Sequence, residues 1–365
     1  MIPFFNYSEL FKQNQSEYLK IIEDVCSRGA FILQSDLEEF EKNAAEFINV
    51  KNFIGVANGT DAIWLGLKAA GIEKGDEIIL PSHTYVASPA ALHFVGARPV
   101  LTECGDDNMI DINDIEHRIN EKTKAIMPVQ INGRCCDMEA IYNIASKYNL
   151  QIFEDSAQAF GAKYNNRFAG TFGLFGTFSF YPAKLLGCFG DGGALVTNDD
   201  DLAKKVRLLR DHGRSQSGEV VEWGFNSRLD NLQAAILNFK LKSYPNDITR
   251  RRDIAMQYNN GLKDIKELIL PPPPAYKPYF DVYQNYELRA EKRNELKIYL
   301  ESEGIKTIIQ WAGSPVHSFD KLGFKNISLP KTDSFFNKCL MLPINMTLSN
   351  DDVNKIILKI NKFYE

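Results

Sequence analysis

FIGVANGTDAIWLGLKAAG, residues 53–71, carries two different periods within one short stretch. FIGVA (53–57) is a near-continuous apolar run of strand length, and DAIWLGLKAAG (61–71) sets its apolar residues at helical spacing. Asn58, Gly59 and Thr60 stand between them, residue types that turn a chain and open a helix. The pattern recurs. EIILP (77–81), RPVLT (98–102), KAIMPVQ (124–130) and LQIFED (150–155) read as buried strands, with helical stretches such as MEAIYNIASKY (138–148) between them. Strands alternating with helices predict an α/β fold built on a largely parallel sheet. Functional groups in such folds collect at the carboxyl ends of the strands.

Further along, residues 199–211 and 229–244 look helical, and RRRDIAMQYNNGLKDI (250–265) reads as a long helix leaving the main body. PPPP (271–274) fits neither a helix interior nor a central strand, so it marks a connector. Strand-like YQNYELRA, helix-like EKRNELKIYLESEG, a short strand IKTIIQW and a closing helix DDVNKIILKINKF then make a compact α+β unit. The expected organisation is a large α/β domain over 1–245 and a small C-terminal α+β domain over 246–365.

Composition narrows the function. The chain has 365 residues, 44% hydrophobic and 24% charged, with a net charge of −5, and lacks the basic excess of a nucleic-acid surface. No stretch reaches the length of a membrane span. The opening MIPFFNYSELFKQNQSEY has no basic segment followed by a long apolar core, so it does not read as a secretory signal. Six cysteines are too sparse for a disulfide framework, and adjacent Cys135 and Cys136 have no CxxC partner pair to complete a metal site. The expectation is a cytoplasmic chain with reduced thiols and no metal.

Four strand-end stretches carry candidate chemistry. NGTDA (58–62) offers Gly59 and Thr60 at a helix N-terminus, where free N–H groups and the helix dipole suit a phosphate; an ordinary capped turn has the same residues. PSHTYVAS (81–88) offers Tyr85 or His83 as a flat partner for an aromatic ligand, or Tyr85 as a plain core aromatic. In FEDSAQAFGA (153–162), Glu154 and Asp155 close an apolar strand, where an acid suits a protonated ring nitrogen or a helix cap. FSFYPAKLLGCFGDGG (178–193) sets one amine, Lys184, among apolar side chains, with Ser179 before it and a glycine-rich turn after it. Such a lysine either snorkels to solvent or is kept neutral for Schiff-base chemistry. GxGxxG, P-loop, GxSxG and HExxH patterns are absent from the sequence. Together, a phosphate cup, a ring platform, a carboxylate and an amine are the parts that hold pyridoxal phosphate, the carboxylate keeping the ring nitrogen protonated.

In their order along the chain, NGTDA, PSHTYVAS, EDSAQAFGA, FSFYPAKLLGCFGDGG, RDHGR and GFNSRLDNLQAAIL resemble the DegT/DnrJ/EryC1/StrS family of sugar aminotransferases. The resemblance implies the aspartate aminotransferase-like fold of type I pyridoxal phosphate enzymes. It implies that Gly59, Thr60 and Ser179 contact the cofactor phosphate, that Tyr85 stacks on the ring, and that Asp155 meets its nitrogen. Gln158 would lie near the ring hydroxyl or ring face, and Lys184 would carry the cofactor. Asn226 would reach the phosphate of a neighbouring subunit, making a homodimer with shared sites. Residues 280–319, with YQNYELRA and IQW-x-G-x-x-V-H, resemble the branch acting on dTDP-3-keto-6-deoxyhexoses with glutamate as donor and 2-oxoglutarate as product. That branch would bring Tyr181 and His317 to the sugar or its diphosphate. A nucleotide-linked 4-keto sugar is the alternative acceptor, and a catalytically silent sensor or binding protein is the alternative class. Some members carry histidine at the lysine position and catalyse dehydration; Lys184 argues against that branch. Gln130-Ile131-Asn132-Gly133 replaces a common HLYG, and Asp191 stands where glutamate is common; both are expected to affect substrate contacts or loop shape.

Overall fold

The computed structural model describes residues 1–215 and 217–365. All five expected runs are strands: β1 (Asn52–Val56), β2 (Glu77–Pro81), β3 (Arg98–Thr102), β4 (Thr123–Ile126) and β5 (Gln151–Asp155). A short hairpin follows, β6 (Lys163–Tyr164) and β7 (Arg167–Phe168), and then β8 (Phe175–Ser179) and β9 (Gly193–Thr197). Seven of these form one sheet in the order β1-β9-β8-β5-β4-β2-β3. Neighbours from β8 through β5, β4 and β2 to β3 run parallel, whereas β9 is antiparallel to both β8 and β1. The reversal is local in origin, because the chain returns from β8 through the loop 180–192 without a crossover helix.

Successive side chains on a strand face opposite ways, and the two faces feed two cores. Phe53 and Ile79 pack with Leu37, Phe40, Ile141 and Leu237, under the helices Ser35–Ile48, Met138–Tyr148 and Asn231–Leu241. Ile54, Val56, Ile78 and Leu80 pack with Ile63, Leu92 and Val206, under the helices Gly59–Ala69, Ala87–Phe94 and Asp200–Arg210. Helices on both faces explain why β2 and β9 are buried along their whole length. Phe180 sits in the first core, fully buried, with its ring 5.5 Å from Phe40 and 6.3 Å from Phe53.

The second unit departs from the expected boundaries. Its helix runs over Tyr244–Leu262, longer at its start than the sequence pattern implied. Tyr244 and Ile248 belong to the core of the large unit, while Ile254, Tyr258 and Leu262 belong to that of the small one. A division at 245/246 therefore cuts a helix that is shared by both. Beyond it lie β10 (Leu268–Ile269), β11 (Tyr279–Phe280), β12 (Tyr286–Ala290) and β13 (Cys339–Leu342). The antiparallel sheet β10-β12-β13 is covered by the helices Arg293–Ser302 and Asn350–Tyr364, while β11 pairs with β6 of the large unit. The N-terminus also joins the small unit. Ile2 N–H donates to Gly304 O at 2.7 Å, Lys306 N–H donates to Ile2 O at 3.0 Å, and Asn345 Nδ2 donates to the carbonyls of Pro3 and Phe4. IKTIIQW is not a regular strand. Ile305 and Ile308 make isolated bridges, and Trp311 and Ala312 turn left-handed at φ 46° and 56°.

Phe180→Ala removes a ring from the large core and is expected to cost about 3–5 kcal/mol, read as a lower urea midpoint for unfolding.

Candidate active site

Because β1, β2, β4, β5 and β8 point the same way, the segments that follow them meet at one edge of the sheet. Asn58, Gly59 and Thr60 follow β1; Tyr85 follows β2; Gln130 to Gly133 follow β4; Asp155 ends β5; Ser179 ends β8, with Lys184 five residues on. Seven sequence-predicted residues are thus collected: Gly59, Thr60, Tyr85, Asp155, Gln158, Ser179 and Lys184.

The cup is built by the helix Gly59–Ala69. Asn58 caps it, its side-chain oxygen accepting Asp61 N–H at 2.8 Å, so the N–H groups of Gly59 and Thr60 face out of the helix end. A Cβ on Gly59 would lie 2.9 Å from Ser179 Cβ, so glycine is what allows β8 to approach this closely. The surroundings fit an anion: helix-end donors, the Ser179 hydroxyl and a close-approaching backbone.

Neither acid at the end of β5 reaches solvent, but their partners differ. Glu154 accepts N–H from Gly170 at 2.8 Å, Phe172 at 2.6 Å and Gly173 at 3.1 Å, and Gln130 Nε2 at 2.8 Å. It fixes the approach to β8, and burial pushes its carboxyl above the ordinary carboxylate range. Asp155 accepts Ser88 Oγ–H at 2.6 Å and Ala157 N–H at 3.1 Å, which leave lone pairs for one further cationic donor. Lys184 supplies the facing charge. Burial holds its amine below the usual lysine range, and the charge of Asp155 opposes part of that shift. The loop around it is clamped from the small unit: Gln284 Nε2 donates to Ala183 O at 2.7 Å, and Gln284 Oε1 accepts Leu185 N–H at 2.7 Å. Gln158 is held by its oxygen, which accepts Asn132 N–H at 2.8 Å.

Tyr85 and Tyr181 are 56% and 53% exposed, open to a ligand lying on this edge. Asn226 is exposed on the adjoining loop, where the next residue, Ser227, accepts Ala57 N–H at 3.3 Å. His317 does not face the site with a free nitrogen. It is 6% exposed, with Nδ1 2.8 Å from Ser82 Oγ and Nε2 3.0 Å from Asp333 Oδ1, and it pins the 310–319 loop behind the edge. Gln130 likewise turns inward, to Glu154 and Cys136 N–H. Ser88 and Gln284 were missed as supports. Ser88 lies within the quoted PSHTYVAS stretch, one helical turn beyond Tyr85, and that spacing was its only signal. Among the described residues no cluster of His, Cys, Asp and Glu could hold a metal ion, and no helix is long and apolar enough to cross a membrane.

Residues 12–361 match the model of the DegT/DnrJ/EryC1/StrS aminotransferase family. The chain is 39% identical to a dTDP-3-amino-3,6-dideoxy-alpha-D-galactopyranose transaminase of Aneurinibacillus thermoaerophilus, over 100% of this chain and 99% of that protein. It is 36% identical to a pleiotropic regulatory protein of Geobacillus stearothermophilus, over 100% and 98%. Among solved structures, S. venezuelae DesV in complex with a ketimine intermediate superposes with a TM-score of 0.96 at 36% identity, covering 100% of this chain and 98% of that one. The chain belongs to the DegT/DnrJ/EryC1/StrS aminotransferase family, with the aminotransferase fold that its sequence resembled. Aminotransferases of this family depend on pyridoxal phosphate.

Replacing Asp155 by Asn removes the charge that supports protonated Lys184. The Lys184 pKa then falls further, and pH-dependent labelling of this lysine with a small amine-reactive reagent, followed by mass spectrometry, begins at lower pH than in wild type.

Proposed function

We propose that this chain is a pyridoxal phosphate-dependent transaminase that moves an amino group from glutamate to a dTDP-linked 3-keto-6-deoxyhexose, giving a dTDP-3-amino-3,6-dideoxyhexose. The observation that carries the reading is the convergence of a helix-end anion cup, a buried carboxylate and a depressed lysine amine on one sheet edge. The sugar and its C3 position rest on the 39% identical A. thermoaerophilus protein and its printed substrate class.

Bound in this site, pyridoxal phosphate supplies an electron sink for a carbanion formed next to the transferred nitrogen. The chain's own residues then have separate tasks. Gly59, Thr60 and Ser179 would hold the phosphate. Asp155, held in place by Ser88 Oγ–H and Ala157 N–H, would keep the ring nitrogen protonated, and Tyr85 would contact the ring. Lys184 would hold the aldehyde, and its amine, kept below the usual lysine range by burial, would be the group that takes up and gives back a proton at the donor carbon and, in the second half-reaction, at the keto sugar. Tyr181 borders the acceptor, and Asn226, exposed here, reaches the phosphate of a second copy in a homodimer with shared sites. A cytoplasmic location belongs to the proposal, from the sparse unpaired cysteines. Retention of Lys184, Asp155 and the cup supports the enzyme over the silent sensor.

The test is the visible spectrum of wild type and Lys184→Ala with added pyridoxal phosphate. Wild type alone is expected to show a lysine-dependent band that bleaches with glutamate and returns with dTDP-3-keto-6-deoxyglucose. Return only with a 4-keto sugar would move the acceptor carbon, and a wild type with no such band would overturn the reading.

A further inference from the structure

Behind the sheet edge, at the seam of the two units, lies a buried acid with no cation to pair with. Glu287, the second residue of β12, is 3% exposed. Its carboxyl receives Asn132 Nδ2–H at 2.5 Å, and the Gln310 amide, turned with its nitrogen toward the acid, reaches both oxygens at 2.6 and 2.7 Å. His83 Nε2 stands 3.7 Å from Glu287 Oε2.

The histidine decides where a proton must be. His83 is 1% exposed and packs against Trp311, Phe335 and Phe336. Its Nδ1 lies 2.7 Å from Asn108 O, a pure acceptor, so that nitrogen carries the hydrogen. Burial lowers the ring's pKa to about 4, so Nε2 is a bare lone pair with no hydrogen bond of its own; the Gln310 amide lies beside the ring, but its nitrogen is committed to the two Glu287 oxygens. An ionised Glu287 would set a second acceptor against it. A neutral Glu287 supplies the missing donor, and a shift of under an ångström closes the bond.

The other groups around the acid leave it without a compensating charge. Cys339 beside it is buried, with its thiol pKa raised. Arg293 is spent on the carbonyls of Phe336 and Cys339. Across a cavity of about 40 Å³, Arg134 is paired with Asp281 at 3.0 Å, and Asp107 adds only negative charge.

We propose that Glu287 is a positioning residue that works as a neutral acid: its O–H donates a hydrogen bond to His83 Nε2 while the carboxyl accepts the Asn132 amide, tying the loop that carries Tyr85 to the peptide that holds Gln158. This rests on the reading of Tyr85 and Gln158 as cofactor-ring contacts. Both arms are short. His83 is two residues from Tyr85, and Asn132 N–H itself donates to Gln158. Burial with no facing cation also raises the Glu287 pKa to about 8. The folded state therefore holds a proton that the unfolded state releases. Stability from this group is present below the ordinary carboxylate range and is lost as pH rises through about 8.

The full-length protein tests this in two ways. Without cofactor, wild type is expected to lose melting temperature relative to Glu287→Gln as pH rises from about 5 to about 9, because the glutamine amide keeps the donor without titrating. With pyridoxal phosphate titrated into each protein, Glu287→Gln is expected to bind within about twofold of wild type and Glu287→Ala about tenfold more weakly, as when one buried group loses its partner. Melting curves that run parallel at every pH, or a glutamine variant binding as weakly as the alanine one, would overturn the proposal. If the alanine variant does not fold, the comparison of wild type with Glu287→Gln still decides it. Should wild type show no Lys184-dependent band, the cofactor reading fails and the positioning role falls with it, whereas a pH-dependent gap without cofactor still marks the shared proton.

Discussion

The direction of five strands constrains everything else in this molecule. With β1, β2, β4, β5 and β8 running the same way, the segments leaving them share one small region at a sheet edge. Groups that are far apart in the chain, such as Gly59 and Ser179, become neighbours without any long loop. The antiparallel β9 serves the same end, since it brings the glycine turn at 190–193 back to the edge from which β8 departed. A Cβ on Gly193 would lie 2.3 Å from the carbonyl carbon of Asn58, so the turn and the anion cup are in direct contact.

Burial of polar groups is the second constraint, and it sorts the acids by role. Glu154 has its lone pairs filled by three backbone donors and a glutamine, and it holds a loop in place. Asp155, the next residue, has two donors and a lysine opposite it. Adjacent residues on a strand face opposite sides, so two neighbouring carboxylates are set to unrelated tasks by geometry alone.

Much of this was legible in the sequence, for physical reasons that also mark its limits. The parallel strands were plain because strands covered on both faces read as continuous apolar runs, as EIILP and FIGVA do. The residues gathered at the sheet edge were plain because they fall at the ends of those runs. IKTIIQW has the composition of a strand, yet Trp311 and Ala312 turn left-handed and the segment makes only isolated bridges; that conformation is a tertiary outcome which local propensity does not encode. Ser88, Gln284 and Glu287 escaped notice because their partners lie 67, 99 and 155 residues away, at Asp155, Leu185 and Asn132. His317 was drawn to the substrate by resemblance, and its two bonds to Ser82 and Asp333 could be found only in three dimensions.

The N-terminal strap has a consequence for how the chain is made. Ile2 bonds to Gly304 and Lys306, and the carbonyls of Pro3 and Phe4 bond to Asn345. Residues 2–4 therefore find their places only after the segments around Gly304 and Asn345 have been made. The same delay applies to the lysine loop, whose clamp, Gln284, is translated about a hundred residues after Lys184. A nascent chain can assemble its parallel sheet early, since N-terminal regions fold first during synthesis. The Lys184 loop is not locked into position until the small unit exists, so an unfinished polypeptide lacks the two hydrogen bonds that fix it.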